Sequence, residues 1–195
     1  ARGCMTEDAS TNTSSGTVTV TDVDSGHAVF QTPASLAGTY GTYTFDAATG
    51  AWGYTLDNSK LATQALAANQ QVTDTLTVMS NDGSATQDIV VTVTGINDPA
   101  TFSGDISKAI TESNVAQTAT GTLTVADVDS ATTVTAQSNV AGSAGLGKFS
   151  IDSAGAWSYV MDSAQNQLKP SDVITDSLTV TTADGTQKVI SVVIT

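Results

Sequence analysis

The feature that most constrains this chain is an internal repeat. Short sequence blocks of its first half return in the same order in its second half. The blocks are TE at residues 6–7 and 111–112, GTVTVTDVDS at 16–25 and GTLTVADVDS at 121–130, GAWGYTLD at 50–57 and GAWSYVMD at 155–162, TDTLTV at 73–78 and TDSLTV at 175–180, and DG at 82–83 and 184–185. Because such self-similarity marks tandem copies of one structural unit, the 195 residues are predicted to form two small domains of one kind.

Most blocks alternate apolar and polar residues, which is the pattern of a half-buried β-strand. Val18 and Val20 share one face of such a strand. In the first copy we predict about seven strands, near residues 4–9, 16–21, 27–32, 42–46, 51–56, 73–80 and 87–95. Residues 59–71 break the alternation and predict a short helical turn within a loop. Strands of this number and length predict an all-β fold, two tandem immunoglobulin-like β-sandwiches with Trp52 and Trp157 in their cores.

The two copies are predicted to meet at GINDPA, residues 95–100. Pro99 ends the last strand of the first copy, because proline cannot donate a hydrogen bond to a β-ladder. The predicted domains are residues 1–98 and 99–195. Residues 1–5, with the single cysteine Cys4, match nothing later in the chain, and we interpret them as an addition outside the fold. Since the second copy stops where its own linker is expected, we expect the natural protein to continue beyond Thr195.

Charge and composition narrow the range of functions. With 19 acidic and 6 basic residues, the formal net charge is −13. Nucleic acid is not a predicted partner, because its binding depends on lysine and arginine. No apolar run approaches the roughly 20 residues that a membrane helix requires, so direct membrane insertion is not expected. The only histidine, His27, has Thr132 as its counterpart, and we interpret it as an exposed strand residue.

The acidic motif Asp-Val-Asp occurs once in each copy, at residues 22–24 and 127–129. If the motif continues the preceding strand, the valine points into the core and both carboxylates project from the other face. Two carboxylates held this close repel each other unless a cation lies between them, and Ca²⁺ prefers such oxygen ligands. The alternative is ordinary turn chemistry, in which the aspartates accept hydrogen bonds from nearby backbone N–H groups. The motif alone leaves both interpretations open.

Taken together, the blocks resemble the VCBS repeat of large bacterial surface adhesins of the RTX type, over residues 6–195. The resemblance implies a cadherin-like fold, a location outside the cell on the bacterial surface or in secreted form, and Ca²⁺ bound at the joint between neighbouring repeats of one polypeptide. By the parallel with cadherins, it implies these ligands for the joint: Glu7, Asp57, Asn97, Asp98, Asp127, Asp129 and Asp184. It also implies half-sites toward further neighbours, at Asp22, Asp24 and Asp82 and at Glu112 and Asp162.

Two functions follow as hypotheses. The first is a structural spacer of a cell-surface adhesin, stiffened by calcium, that supports adhesion and biofilm formation. The second is a binding module in which one copy recognises a glycan, a protein or another copy of itself. Trp52 and Trp157 could stack on a sugar, but their place in alternating strands favours the core. We do not expect an enzyme, because no cysteine or histidine is paired with a base and the carboxylates recur at the joints.

Overall fold

The structure is a computed structural model that describes residues 1–23, 28–169 and 171–195. The chain divides into two compact units, Ala1–Asn97 and Asp98–Thr195. The division falls after Asn97, one residue before the boundary that we predicted from the sequence. Of the residues discussed above, Asp24 and His27 lie outside the described part of the chain.

The first unit contains two three-stranded sheets. Its elements are β1 (Arg2–Thr6), β2 (Thr13–Thr17), β3 (Gly41–Phe45), β4 (Ala51–Leu56), α1 (Leu61–Gln64), β5 (Gln71–Met79) and β6 (Thr86–Thr94). One sheet has the order β1-β6-β5 and the other β2-β4-β3. The pairing of β1 with β6 is parallel, and the remaining pairs are antiparallel.

The second unit repeats this plan with additional strands. Its elements are β7 (Thr101–Gly104), β8 (Ser107–Ile110), β9 (Thr118–Ala126), β10 (Gln137–Ala141), β11 (Gly147–Ile151), β12 (Ala156–Met161), β13 (Ile174–Thr181) and β14 (Gln187–Ile194). One sheet has the order β13-β14-β8 and the other β10-β11-β12-β9-β7. Like β1 with β6 in the first unit, β8 pairs in parallel with the last strand of its unit, β14.

Each unit has its own core between its two sheets. In the first unit, apolar side chains from β4 and β6 alternate inward, among them Trp52, Tyr54, Ile89 and Val91. The second unit uses the matching positions of β12 and β14. Both tryptophans are buried, as predicted, Trp52 at 4% exposure and Trp157 at 3%. The predicted fold class, an all-β tandem β-sandwich, is confirmed.

The strand count differs from the prediction of seven for each copy. Within the described residues, the first unit has six strands and the second has eight. The strand predicted at 16–21 ends at Thr17, because residues 18–21 pair with no strand in the part of the chain that the structure describes, whereas their counterparts in β9 pair with β7. In the region predicted as a strand at 27–32, the described residues form only a bridge between Phe30 and Ser80.

Residues 1–5 are part of the fold, so their exclusion was wrong. Four of them lie in β1, which forms a parallel ladder with β6. The Met5 side chain packs in the core of the first unit. The helical turn predicted within residues 59–71 is confirmed as α1. Among the described residues, no helix has the length and apolar character that crossing a bilayer would demand.

Candidate metal centre

In the second unit, Asp127 and Asp129 lie in the bend that follows β9. Asp127 Oδ1 accepts hydrogen bonds from the backbone N–H groups of Asp129 at 3.0 Å and Ser130 at 2.8 Å. The strand has already ended at Ala126, so the valine between the aspartates does not point into the core: Val128 is 39% exposed and its counterpart Val23 is fully exposed. Our strand interpretation of the motif was therefore wrong, and the turn chemistry that we considered beside it is present.

Turn chemistry uses only part of these two carboxylates. Asp129 Oδ2 accepts a hydrogen bond from the Asp98 backbone N–H at 3.2 Å. The remaining oxygens, Asp127 Oδ2 and Asp129 Oδ1, are buried and have no hydrogen-bond donor. Burial raises the pKa of Asp129 most, and the neighbouring Asp127 carboxylate raises it further. A buried acceptor without a donor is costly, so these two oxygens are suited to a cation that would replace the missing donors.

Asp184 lies in the turn between β13 and β14. Its Oδ1 accepts hydrogen bonds from the Thr182 hydroxyl and from the Thr186 backbone N–H at 3.1 Å, and its Oδ2 accepts one from the Ala100 backbone N–H at 3.1 Å. Burial acts to raise the pKa of Asp184, but the hydrogen bonds from Thr182, Thr186 and Ala100 outweigh it and hold the pKa well below its ordinary value. Asp184 is therefore a fixed anion that binds the first residues of the second unit.

In the first unit, Glu7 is completely buried next to the end of β1. Its Oε1 accepts a hydrogen bond from Gln64 Nε2 at 3.1 Å, and its Oε2 accepts one from the Ile96 backbone N–H at 3.1 Å. Its own backbone N–H continues the β1–β6 ladder by donating to Thr94 at 2.9 Å. Glu7 therefore contacts the residue that precedes Asn97, the predicted ligand at the end of this unit.

Asp57 follows β4 and contacts its own loop. Its Oδ1 accepts hydrogen bonds from the Ser59 hydroxyl at 2.6 Å and the Ser59 backbone N–H at 3.0 Å. Both bonds lower the pKa of Asp57, and the bond from the Ser59 hydroxyl has the larger effect. The carboxylate is therefore ionised at neutral pH.

The predicted half-site residues have different surroundings. Asp82 accepts hydrogen bonds from the Ser80 hydroxyl at 2.6 Å and the Ser84 backbone N–H at 3.1 Å, which lower its pKa to about 2. Asp162 forms an ion pair with Lys148 at 3.1 Å. Glu112 donates its backbone N–H to Thr195 at 2.8 Å, and its Oε2 is buried without a hydrogen-bond donor. Asp22 lies beyond the end of β2 and is half-buried.

Calcium binds six to eight oxygen ligands at about 2.3–2.6 Å. Over the described ranges 1–23, 28–169 and 171–195, no three histidine, cysteine or carboxylate side chains lie close enough together to form a metal-binding group. What the structure does bring together in the second unit is Asp127, Asp129 and the backbone of Asp98. The chemistry of these oxygens fits a hard cation. The strongest indication of a cation site is the two buried oxygens without a donor, one on Asp127 and one on Asp129.

A buried carboxylate at another position was missed by the sequence analysis. Asp74 in β5 is 4% exposed and crosses to the opposite sheet. Its Oδ1 accepts a hydrogen bond from the Thr39 backbone N–H at 2.8 Å, and its Oδ2 accepts bonds from the Tyr40 N–H at 3.0 Å and the Tyr54 hydroxyl at 2.6 Å. This carboxylate clamp therefore joins β4, β5 and the loop that leads into β3.

The second unit contains the same clamp. Asp176 accepts hydrogen bonds from the Ala144 N–H at 2.7 Å, the Leu146 N–H at 3.1 Å and the Tyr159 hydroxyl at 3.0 Å. A sequence signal was available: in each TDTLTV or TDSLTV block, the aspartate shares its face of the strand with the buried leucine and valine. A charged group at a core position of an alternating strand indicates a specific buried partner.

Comparisons with known proteins bear on the fold. A search with protein-family models and a search of curated proteins each gave no match. Among solved structures, Protocadherin Gamma C5 EC1-3 is 11% identical with a TM-score of 0.50, over 99% of this chain and 64% of that one. The Protocadherin GammaB4 extracellular domain is 16% identical with a TM-score of 0.49, over 100% of this chain and 31% of that one.

The match to Protocadherin Gamma C5 EC1-3 defines the class of protein by its fold alone. Mouse Cadherin-23 EC22-24 is a further match, 15% identical with a TM-score of 0.44, over 99% of this chain and 61% of that one. This chain spans less than two thirds of the length of each of these solved chains. The protein is thus a tandem β-sandwich of cadherin-like fold, as the sequence predicted.

Proposed function

We propose that the chain is a pair of calcium-binding spacer modules from an extracellular adhesin. The observation that carries the proposal is the pair of buried oxygens, Asp127 Oδ2 and Asp129 Oδ1, which have no hydrogen-bond donor. A cation would complete the coordination that turn chemistry leaves open. The resemblance of the repeats to VCBS adhesins supports a bacterial surface location, and the cadherin-like fold is compatible with adhesion.

The proposed ligands come from both repeats, which the consecutive linker residues connect. Asn97 ends the first unit and Asp98 begins the second. The proposed set is Glu7, Asp57 and Asn97 from the first unit, with Asp98, Asp127, Asp129 and Asp184 from the second. We propose that Asp22, Asp24, Asp82, Glu112 and Asp162 are half-site ligands that bind calcium weakly, since half a ligand set cannot replace the hydration shell of the ion.

Calcium titration tests the proposal. We expect calorimetry to give a dissociation constant on the order of 0.1–1 mM for calcium, the range of extracellular modules, and much weaker binding of magnesium. At about 100 times that constant, calcium should stabilise the folded chain by roughly 2.7 kcal/mol. The double variant Asp127→Asn and Asp129→Asn should no longer bind calcium in this range, because it lacks the charge of both carboxylates.

A matched control removes two charges elsewhere. Asp88 is exposed on β6, and Asp152 lies in the exposed turn before β12. The double variant Asp88→Asn and Asp152→Asn should bind calcium as the parent chain does. If both double variants lose calcium affinity equally, calcium binding depends only on net charge, and the proposed site is wrong.

The mechanical part of the proposal has a separate test. If calcium holds the linker, small-angle X-ray scattering should give a narrower distribution of intramolecular distances in excess calcium than in chelator. The variant with Asp127→Asn and Asp129→Asn should scatter alike in both solutions. If calorimetry shows binding but the scattering of the parent chain does not change with calcium, the calcium site stands and the spacer mechanism is wrong. We also propose that the chain has no catalytic activity.

A further inference from the structure

Glu7 carries a carboxylate that the first unit encloses completely, at 0% exposure. Its two oxygens receive hydrogen bonds from distant parts of the chain, Oε1 from Gln64 Nε2 at 3.1 Å and Oε2 from the Ile96 backbone N–H at 3.1 Å. A carboxylate can be buried without a large cost only where such partners replace its lost water. Gln64 is thus the side chain that fixes the orientation of Glu7 from the side of α1.

The short helix α1 gives Gln64 a fixed support. Four residues are too few to form a stable helix alone, so contacts with the rest of the unit hold it in place. Lys60, at its start, donates from Nζ to the Gly38 carbonyl at 2.9 Å, and Leu66, just after its end, is buried in the core. The turn after α1 packs so closely on the end of β6 that a Cβ at Gly95 would lie 2.6 Å from the Leu66 carbonyl oxygen. Gln64 therefore extends from a rigid base.

The Gln64 amide also links two neighbouring carboxylates. Besides Glu7 Oε1, its Nε2 donates to Asp8 Oδ1 at 3.3 Å. An amide nitrogen has two hydrogens, so it can donate to both oxygens at once. Because the amide is neutral, it holds both carboxylates and leaves their negative charges available to a cation, whereas a lysine here would form an ion pair with one of them.

We propose that Gln64 is a positioning residue of the calcium site, which holds the Glu7 carboxylate in one orientation beside Ile96 before calcium binds. The inference rests on the proposed function, which includes Glu7 among the ligands. Hydrogen bonds to a metal-binding carboxylate fix its orientation in advance, and their loss typically lowers metal affinity by about tenfold to a hundredfold. Gln64 thus acts on calcium affinity through Glu7.

The test compares Gln64→Leu with the parent chain. Leucine fills a similar volume but cannot donate a hydrogen bond. In chelator, the Ile96 N–H should exchange with solvent about fivefold faster, because Glu7 Oε2 is no longer held in place as its acceptor. In calorimetry, the dissociation constant for calcium should rise about tenfold. Urea unfolding in chelator verifies that the first unit of each variant is folded.

A second variant, Gln64→Lys, separates orientation from charge. Its ammonium group can still donate to Glu7, so the Ile96 N–H should exchange as slowly in chelator as in the parent chain. Its charge competes with the cation, so calcium should bind more weakly. Gln87 provides matched controls, because it is exposed at the far end of β6 from Thr94, to which Glu7 donates. Gln87→Leu and Gln87→Lys should leave both measurements unchanged.

The outcomes distinguish a failure of this inference from a failure of the proposed function. If the parent chain does not bind calcium, the proposed function is wrong and the role of Gln64 is wrong with it. If the parent chain binds calcium and Gln64→Leu binds it equally or more tightly, the calcium site stands and only the role of Gln64 is overturned. An unchanged exchange rate of the Ile96 N–H in Gln64→Leu would also overturn that role, since Glu7 would then keep its orientation without the amide.

Discussion

Replacing Asp74 with alanine is expected to destabilise the first unit by about 3–5 kcal/mol, because it leaves one buried hydroxyl and two partly buried backbone N–H groups without their acceptor. These donors are the backbone N–H groups of Thr39 and Tyr40 and the hydroxyl of Tyr54. For a domain of this size, such a loss lowers the midpoint of thermal unfolding by roughly 15–30 °C. Calorimetry of the whole chain should then resolve an early transition for the first unit and an unchanged one for the second.

The chain offers two controls for this prediction. Asp88→Ala removes an exposed carboxylate of the same unit and should change the midpoint little, since the described contacts of that side chain are limited to a hydroxyl on the sheet surface. Asp176→Ala removes the equivalent clamp and should shift only the transition of the second unit. If Asp74→Ala and Asp88→Ala have the same effect, the carboxylate clamp does not hold the sheets together.

Alkaline solution is expected to destabilise the first unit about twice as steeply as the second. Burial, followed by the charge of Asp74, raises the pKa of Tyr43 from 10.0 to about 12. Burial and the hydrogen bond to Asp74 raise the pKa of Tyr54 further. In the second unit, burial and Asp176 raise the pKa of Tyr159 in the same way, but Phe149 takes the place of Tyr43.

The direction of the effect follows from proton linkage. Above pH 10 the unfolded chain releases the tyrosine protons while the folded chain retains them, so the free energy of unfolding falls as pH rises. Each buried tyrosine contributes a loss of about 1.4 kcal/mol per pH unit between pH 10 and the pKa of the folded state. The stabilisation is fully present below pH 10.

Urea unfolding monitored by circular dichroism between pH 8 and 11.5 would measure these slopes. Tyr43→Phe should reduce the pH slope of the first unit by about half, whatever its effect at neutral pH, because it removes one of the two titrating groups. Parallel pH profiles for the parent chain and this variant would contradict the assignment of the alkaline loss to buried tyrosines.

Several features of the fold could be predicted from the sequence because they depend on local pattern and repetition. The recurrence of GAW-x-Y predicted two equivalent cores, and alternation placed Trp52 and Trp157 inside them. The break in alternation after Asp57 predicted the short helix α1. These inferences succeed because side chains on a strand alternate between two faces, so that burial can be read directly from the order of residues.

Of the two interpretations of the Asp-Val-Asp motif, the one that continued the strand through the valine was wrong, because strand ends are set by pairing. Alternation alone extends the strand through Val128, but the ladder with β7 ends at Ala126 and the valine turns to solvent. A residue joins a strand when another chain segment accepts its backbone hydrogen bonds, and local sequence does not contain that information.

The sequence by itself determined that there are two related β-sandwich units, which apolar residues build their cores, and which acidic residues could bind a cation. Only the tertiary structure decided that Asp74 and Asp176 hold the sheets together and that Asp127 and Asp129 each keep a buried oxygen without a donor. The physical reason is that hydrogen-bond satisfaction depends on atoms brought together from distant parts of the chain, whereas alternation depends only on neighbours.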